Sequence, residues 1–320
     1  MIHVCQPGFE PFLAKELDIT ASAQGPGWIQ TAEKTAGDLC FAHYSLEAPE
    51  QILAPTARKL AQALSDFYLQ SIRGERVDER WPLTVEGCGE PGVVKRANTV
   101  EEIFLELAKK RVARVSKLAD VGRPPSGARR GLFVYLTGLE RLFVSRRCFF
   151  GGQKRMADDP QAPSRSYLKV EEAYGVLGAA PSAGQSVVDM GAAPGGWSYS
   201  AAKRGAKVIA VDNGPLKGGA LGHPLIEHRL EDAFKFESPK VDWLFCDLVE
   251  DPDKVIELAG RWVTKDLCRR FVINLKFGRQ DPLPLIRRAK TLEIHCRRLL
   301  LRHLYHDREE LTLVGATKGA

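Results

Sequence analysis

No two of the seven cysteines form a CxxC pair, and they are scattered along the chain. The count is also odd, so neither a zinc cluster nor a disulfide framework is expected, no metal ligand is assigned, and a reducing compartment fits. Long apolar runs are missing too, and nothing approaches the roughly 18 uninterrupted residues of a membrane span. The segment Met1-Ile-His-Val-Cys-Gln-Pro7 has no basic stretch leading into an apolar run, so the expectation is a cytoplasmic protein without a secretion signal. No internal repeat stands out. At 320 residues, 44% hydrophobic and 27% charged, the chain has ordinary globular composition and a length for about two domains.

Basic residues are scarce at the front, where residues 1–50 hold two Lys/Arg against seven Asp/Glu. From Lys109 to Arg155 the balance reverses, with thirteen Lys/Arg against two acids, Asp120 and Glu140. Such a block is an electrostatic footprint for a polyanion. A basic helix face that merely contacts solvent is the alternative.

Pro7-Gly-Phe-Glu10 opens a helix through Leu17, and apolar positions at helical spacing predict another over 52–72. Trp81–Glu86 reads as a strand. Thr99 to about Leu118 reads as an amphipathic helix, with Thr99 as N-cap and Glu102 completing a capping box. After a basic, Gly/Pro-rich break over 122–131 come two strands, Leu132–Leu136 and Leu142–Ser145, joined by a turn near Gly138. The polar, Pro-containing segment Met156–Pro163 is the expected linker, giving regions 1–50, 51–155 and 160–320.

Beyond Ser164 the pattern alternates. Ser186–Met190, Lys207–Val211, Val241–Cys246 and Arg270–Leu275 read as buried strands with helices between them, which predicts a doubly covered parallel α/β sheet. Leu299–Tyr305 and Leu311–Val314 are separated by a tight turn, so they should pair antiparallel.

Strand, glycine turn and helix follow one another in Val187-Val-Asp189-Met-Gly191-Ala-Ala-Pro194-Gly195-Gly196-Trp197. This turn does not fit the dinucleotide fingerprint: Ala193 stands where the second glycine belongs, and Pro194 lacks an N–H. It suits a close-lying nucleoside better than a pyrophosphate. Asp212 ends the next strand, where an acid can accept from ribose hydroxyls. Asp232 offers a carboxylate to an adenine amine. In that order, Ala193–Gly196, Asp212 and Asp232 describe a site for S-adenosylmethionine.

Four more charged residues, Lys169, Asp247, Lys276 and Glu310, sit at strand or helix ends where the fold does not demand them. Such a set suits methylation of a sugar hydroxyl, a poor nucleophile until its proton is drawn away. Lys276 would be the base, its pKa lowered by burial and by Lys169 nearby, with Asp247 and Glu310 holding the lysines. Glu309 is second choice for the last acid. His303 and His306 read as turn or core residues, and Cys246 as buried.

Asp189–Trp197, Val211–Pro215, Cys246-Asp247, Asn274-Leu-Lys276, Leu304–Glu310 and Ala162–Lys169 together resemble the bacterial 23S ribosomal RNA ribose 2'-O-methyltransferases with a Lys-Asp-Lys-Glu tetrad. The resemblance implies a C-terminal Rossmann-like methyltransferase domain with an antiparallel last strand, after a ferredoxin-like and an α+β THUMP-like RNA-binding region. It also implies that Ser166 and Asp247 join Ala193, Pro194, Gly195, Gly196, Asp212 and Asp232 around the cofactor. Lys276 becomes the proton acceptor and a cytidine in the peptidyl-transferase region the target. RNA is the expected partner of a monomer, with no DNA or membrane. The same reaction on tRNA and a non-catalytic RNA-binding protein are the alternatives. A nicotinamide oxidoreductase is disfavoured by the Pro194 turn.

Overall fold

In the computed structural model, which describes residues 1–32 and 38–320, the chain divides into two units, Met1–Gly151 and Gly152–Ala320. The first unit contains β1 (Ile2–Val4), α1 (Glu10–Glu16), β2 (Ala23–Gly25), β3 (Trp28–Gln30), β4 (Tyr44–Glu47) and β5 (Glu50–Leu53). It continues with α2 (Ala57–Ser71), β6 (Trp81–Gly87), α3 (Pro91–Arg111), α4 (Ala113–Ser116), β7 (Ala119–Val121), β8 (Gly127–Gly138) and β9 (Arg141–Phe150). Among the described residues, these nine strands make one sheet in the order β2-β3-β1-β4-β9-β8-β6-β7, with β5 also paired to β9. Segments on both sides of residue 50 therefore share one sheet.

Helix α2 begins where the Thr56 hydroxyl accepts the Lys59 N–H at 3.2 Å, and it buries Leu60, Leu64 and Tyr68 four residues apart. Helix α3 begins eight residues before Thr99, at Pro91. Proline is favoured at the first helical position because its missing N–H would be unpaired there anyway. Thr99 lies inside the helix, its hydroxyl bonded to the Lys95 carbonyl at 3.1 Å. The strands β8 and β9 outrun their apolar cores at both ends, because ladder pairing carries polar residues such as Arg129 and Arg147 along.

Part of the basic block is structural. Arg123 donates to both Glu86 oxygens at 2.5 Å, and Glu75 holds both Arg130 and Arg146. Arg146 also lies over the Tyr68 ring. Lys109, Lys110, Arg114 and Lys117 are exposed.

The second unit contains α5 (Tyr167–Leu177), β10 (Ser186–Met190), α6 (Gly196–Ala202), β11 (Lys207–Val211), β12 (Ile226–Arg229) and β13 (Val241–Cys246). It ends with α7 (Pro252–Thr264), β14 (Cys268–Lys276), α8 (Pro282–Lys290), β15 (Cys296–Arg302) and β16 (Glu310–Thr317). The sheet order is β12-β11-β10-β13-β14-β16-β15. The first five strands are parallel, and β16 runs antiparallel between β14 and β15. Seven residues, not a tight turn, join β15 to β16. Within the β14–β16 pair, Phe271 lies opposite Gly315, where an added Cβ would sit 2.3 Å from the phenyl ring.

Val187, Trp243, Phe245, Val272 and Val314 pack with Val170, Ala173 and Tyr174 of α5 and with Trp197 and Ala201 of α6. This is the face that carries the candidate site. The segment after Gly151 is no loose linker. Gln161 accepts the Gly219 N–H through its carbonyl at 2.8 Å, and Asp159 accepts from Lys203 at 3.1 Å. Backbone groups in a polar segment still need partners, and α6 and its neighbours supply them. No helix among the described residues is long and apolar enough to cross a membrane.

Candidate active site

Side chains alternate across a strand, so a residue's parity fixes its face. Asp247 is two residues beyond Phe245, and Lys276 four beyond Val272. Glu310 pairs across the ladder with Lys276, just as Val314 pairs with Val272. All three thus share the face covered by α5, the helix that carries Lys169. This is why four residues far apart in the chain converge.

They converge as a ring of alternating charge. Lys276 Nζ lies 2.5 Å from Asp247 Oδ1 and 3.9 Å from Glu310 Oε2. Lys169 Nζ lies 2.5 Å from Glu310 Oε1 and 3.9 Å from Asp247 Oδ2. Glu310 is buried and Glu309 exposed, which settles the choice between them for the ring. One expectation changes: the ammonium groups do not simply oppose each other, because carboxylates stand between them. Burial works against the Lys169 ammonium, yet Asp247 and then Glu310 outweigh it and hold that lysine above its ordinary range.

Behind the ring lies a buried polar layer that sequence reasoning missed. Asn274 Oδ1 accepts from Lys276 Nζ at 3.1 Å, while its Nδ2 reaches Asp307 Oδ1 and Thr312 Oγ1 at 3.4 Å. Asp307 also accepts the Leu304 N–H and the Thr312 hydroxyl, each at 3.0 Å. Burial, then Glu310, pushes the Asp307 carboxyl up to about 8. Glu172 accepts the N–H groups of Lys154, Tyr305 and His306, and burial lifts it to about 8 as well. Buried strand polars at every second position were the available signal. Cys246 is buried, and burial raises its thiol to about 12. His303 is buried in the turn, and His306 accepts the Met156 N–H.

The glycine turn is tied to its neighbours. Asp212 accepts the Ala193 N–H at 3.0 Å and the Gly214 N–H at 2.7 Å. Trp197 donates to the Ser166 carbonyl at 3.0 Å, and the Ser166 hydroxyl lies 3.2 Å from that of Ser164. Gly196 sits under this segment, and an added Cβ would come within 3.0 Å of Ser164 Oγ and 3.2 Å of Tyr167 N. Pro194 follows a cis peptide bond, and Gly195 is the left-handed residue that precedes α6. Asp232 stands apart, exposed beyond β12, accepting the Phe234 N–H at 2.9 Å.

Residues 162–267 match the FtsJ-like methyltransferase family. The chain is 33% identical to ribosomal RNA large subunit methyltransferase M of Marinomonas sp., over 97% of each protein. It is 31% identical to the protein of that name from Chromohalobacter salexigens, over 97% of this chain and 95% of the relative. For the one from Laribacter hongkongensis the figure is 36%, over 75% of this chain and 70% of the relative. The chain belongs to the ribosomal RNA large subunit methyltransferase M family. It is an S-adenosylmethionine-dependent methyltransferase.

The residues present fit that cofactor. Asp189, next to last in β10, is fully buried; its Oδ2 accepts from Ser198 at 2.6 Å, while its Oδ1 has no hydrogen-bond partner among the described residues. Burial raises this carboxyl to about 7, and Asp247 and Asp212 add to the rise. Three acids close enough to feel one another favour a cationic guest, and S-adenosylmethionine carries a sulfonium and an ammonium. The tight backbone at Gly196 leaves room for no side chain between the turn and Ser166.

Proposed function

We propose that this chain methylates a ribose 2'-hydroxyl of large-subunit ribosomal RNA, with Lys276 as the proton acceptor. The alternating ring of Lys169, Asp247, Lys276 and Glu310 carries this reading. When bound, S-adenosylmethionine supplies a methyl group already activated on its sulfonium. As the ribose hydroxyl is methylated, its proton would pass to Lys276 Nζ. Asp247 holds Lys276 in place, and Glu310 holds Lys169, whose charge balances the two acids. Alignment and exclusion of water supply most of the remaining acceleration.

Ser166, Ala193, Pro194, Gly195, Gly196, Asp212, Asp232 and Asp247 line the cofactor in this reading, with Asp212 toward the ribose and Asp232 toward the adenine. In this reading the front of the chain is ferredoxin-like over 1–50 and THUMP-like over 51–155, the last four residues of that range lying in the second unit. It holds RNA backbone through Lys109, Lys110, Arg114 and Lys117, whose exposure supports the assignment. The target is a cytidine in the peptidyl-transferase region, and the enzyme works as a cytoplasmic monomer.

The test is transfer of labelled methyl from S-adenosylmethionine to deproteinised, unmethylated large-subunit RNA, followed by mapping of the modified nucleotide. Label on one ribose, lost in Lys276→Ala, is the expected result. Label on a base, or undiminished transfer by Lys276→Ala, overturns the reading.

A further inference from the structure

A neutral primary amine has two hydrogens and one lone pair. If two fixed acceptors take both hydrogens, the lone pair can occupy only the remaining corner of the tetrahedron. Lys276 Nζ has two such acceptors close by, Asp247 Oδ1 at 2.5 Å and Asn274 Oδ1 at 3.1 Å. We propose that Asn274 is a positioning residue that aims the lone pair of Lys276 at the substrate hydroxyl, and that Asp307 and Thr312 fix the orientation of its amide.

Asn274 and Lys276 lie two apart on β14 and so share a face, with Thr312 and Glu310 opposite them on β16. Asn274 is fully buried and cannot turn toward solvent. Its amide could in principle present either end to Lys276. An ammonium or amine N–H needs an oxygen, which fixes the Lys276 end of the amide, and on the other side Asp307 Oδ1 and Thr312 Oγ1 lie within reach of its Nδ2. The amide satisfies both in one orientation, Oδ1 to Lys276 and Nδ2 to Asp307 and Thr312. Flipping it would set N–H against N–H at Lys276 and deprive that lysine of its second acceptor. An amide is also a neutral acceptor. It directs Lys276 without adding a third carboxylate to the two already facing that lysine. The charged and titratable groups around Lys276 are Asp247 and Cys246 of the β13 end, Glu310 of β16, Lys169 of α5 and Asp307 of the preceding turn.

The inference rests on Lys276 acting as the base, so Lys276→Ala is run alongside. The full-length chain is assayed by methyl transfer to large-subunit RNA across pH, with cofactor affinity measured by calorimetry and folding by thermal melts. Asn274→Ala should lower kcat by about 10- to 100-fold at every pH while cofactor Kd stays within about twofold. Asn274→Asp keeps the shape and an oxygen acceptor but adds charge. It should move the limb of the kcat profile that reports the neutral amine up by about one pH unit or more, with activity recovering at high pH. If Asn274→Ala does not fold, the isosteric Asn274→Asp profile decides alone. An unshifted limb in Asn274→Asp overturns the proposal, as does native kcat in Asn274→Ala or a loss matched by lost cofactor binding. If Lys276→Ala keeps native activity, the base assignment fails instead, and the proposal falls with it.

Discussion

Glu309 and Glu310 are adjacent and chemically identical, yet strand parity gives them different work. Glu310 pairs with Lys276 across the ladder, while the exposed Glu309 offers its carbonyl to the N–H groups of Phe277 and Gly278. Glu310→Gln should therefore reduce kcat by about 10-fold or more, and Glu309→Gln should leave it within about twofold, in the same methyl-transfer assay. The buried carboxyls make a second prediction. Asp189 sits at about 7, and Glu172 and Asp307 at about 8, all raised first by burial. In the unfolded chain such groups ionise near pH 4, so above that pH the folded state binds more protons than the unfolded state. Stability should fall as pH rises through about 8, and the buried thiols, Cys246 among them, extend the fall above that once they begin to ionise in the unfolded chain. Below pH 6.5 this is offset, because burial lowers His3 and His303 to about 4 and these must charge on unfolding in acid. The window from about pH 6.5 to 8.5 should show the decline cleanly in thermal melts. Glu172→Gln, which cannot ionise, should flatten the slope.

Among the elements, what the sequence revealed depended on burial. Ser186–Met190, Lys207–Val211 and Val241–Cys246 were legible to the residue because strands covered on both faces read as near-continuous apolar runs, broken here only by Asp189 and Asp242 inside them. The strand β12, Ile-Glu-His-Arg, was not, because an edge strand in four mostly polar residues carries no such run. The start of α3 was missed because Thr99 and Glu102 imitate a capping box inside a helix whose true signal was Pro91. Gly87-Cys-Gly-Glu-Pro-Gly92 does spell the dinucleotide fingerprint between a strand and a helix. Glu90 and Pro91 put a carboxylate and a missing N–H where a pyrophosphate needs donors. All four members of the charged ring were legible, whereas Asn274, Asp307 and Thr312 looked like ordinary strand and turn residues. Two substitutions test the packing described here. Gly196→Ala should push the Ser164–Tyr167 segment off the turn and weaken cofactor binding by about 10-fold or more, measured by calorimetry. Trp243→Ala, at the centre of the sheet face beneath α5, should cost about 3–5 kcal/mol in denaturant unfolding.

At the scale of the whole molecule, charge is divided by task. The charged ring alternates in sign and is partly buried, so added salt should touch kcat little if the proposed base lies within it. The four exposed cations of α3, α4 and the residue after them form no ion pair among the described residues. Replacing Lys109, Lys110, Arg114 and Lys117 with Gln should weaken RNA binding and lower the slope of log affinity against log salt by up to about 3 for single-stranded contacts. Filter binding across a salt series measures this, and kcat at saturating RNA should stay near native. One more consequence follows from Phe271 lying over Gly315 between β14 and β16. Over 270–273 and 313–316 both strands are mostly apolar, so burial of that stretch alone would do little to forbid a slip by one residue. The ring set into the glycine does not, since a slip drives it into the Cβ of Val314 or Ala316. Over evolutionary time this sets where length can vary. The 303–309 turn is tied down in its own right by Asp307 and Glu172, so length can vary only outside turn and strands alike, and a single residue gained or lost inside either strand would leave a folded sheet with Lys276 facing the wrong way.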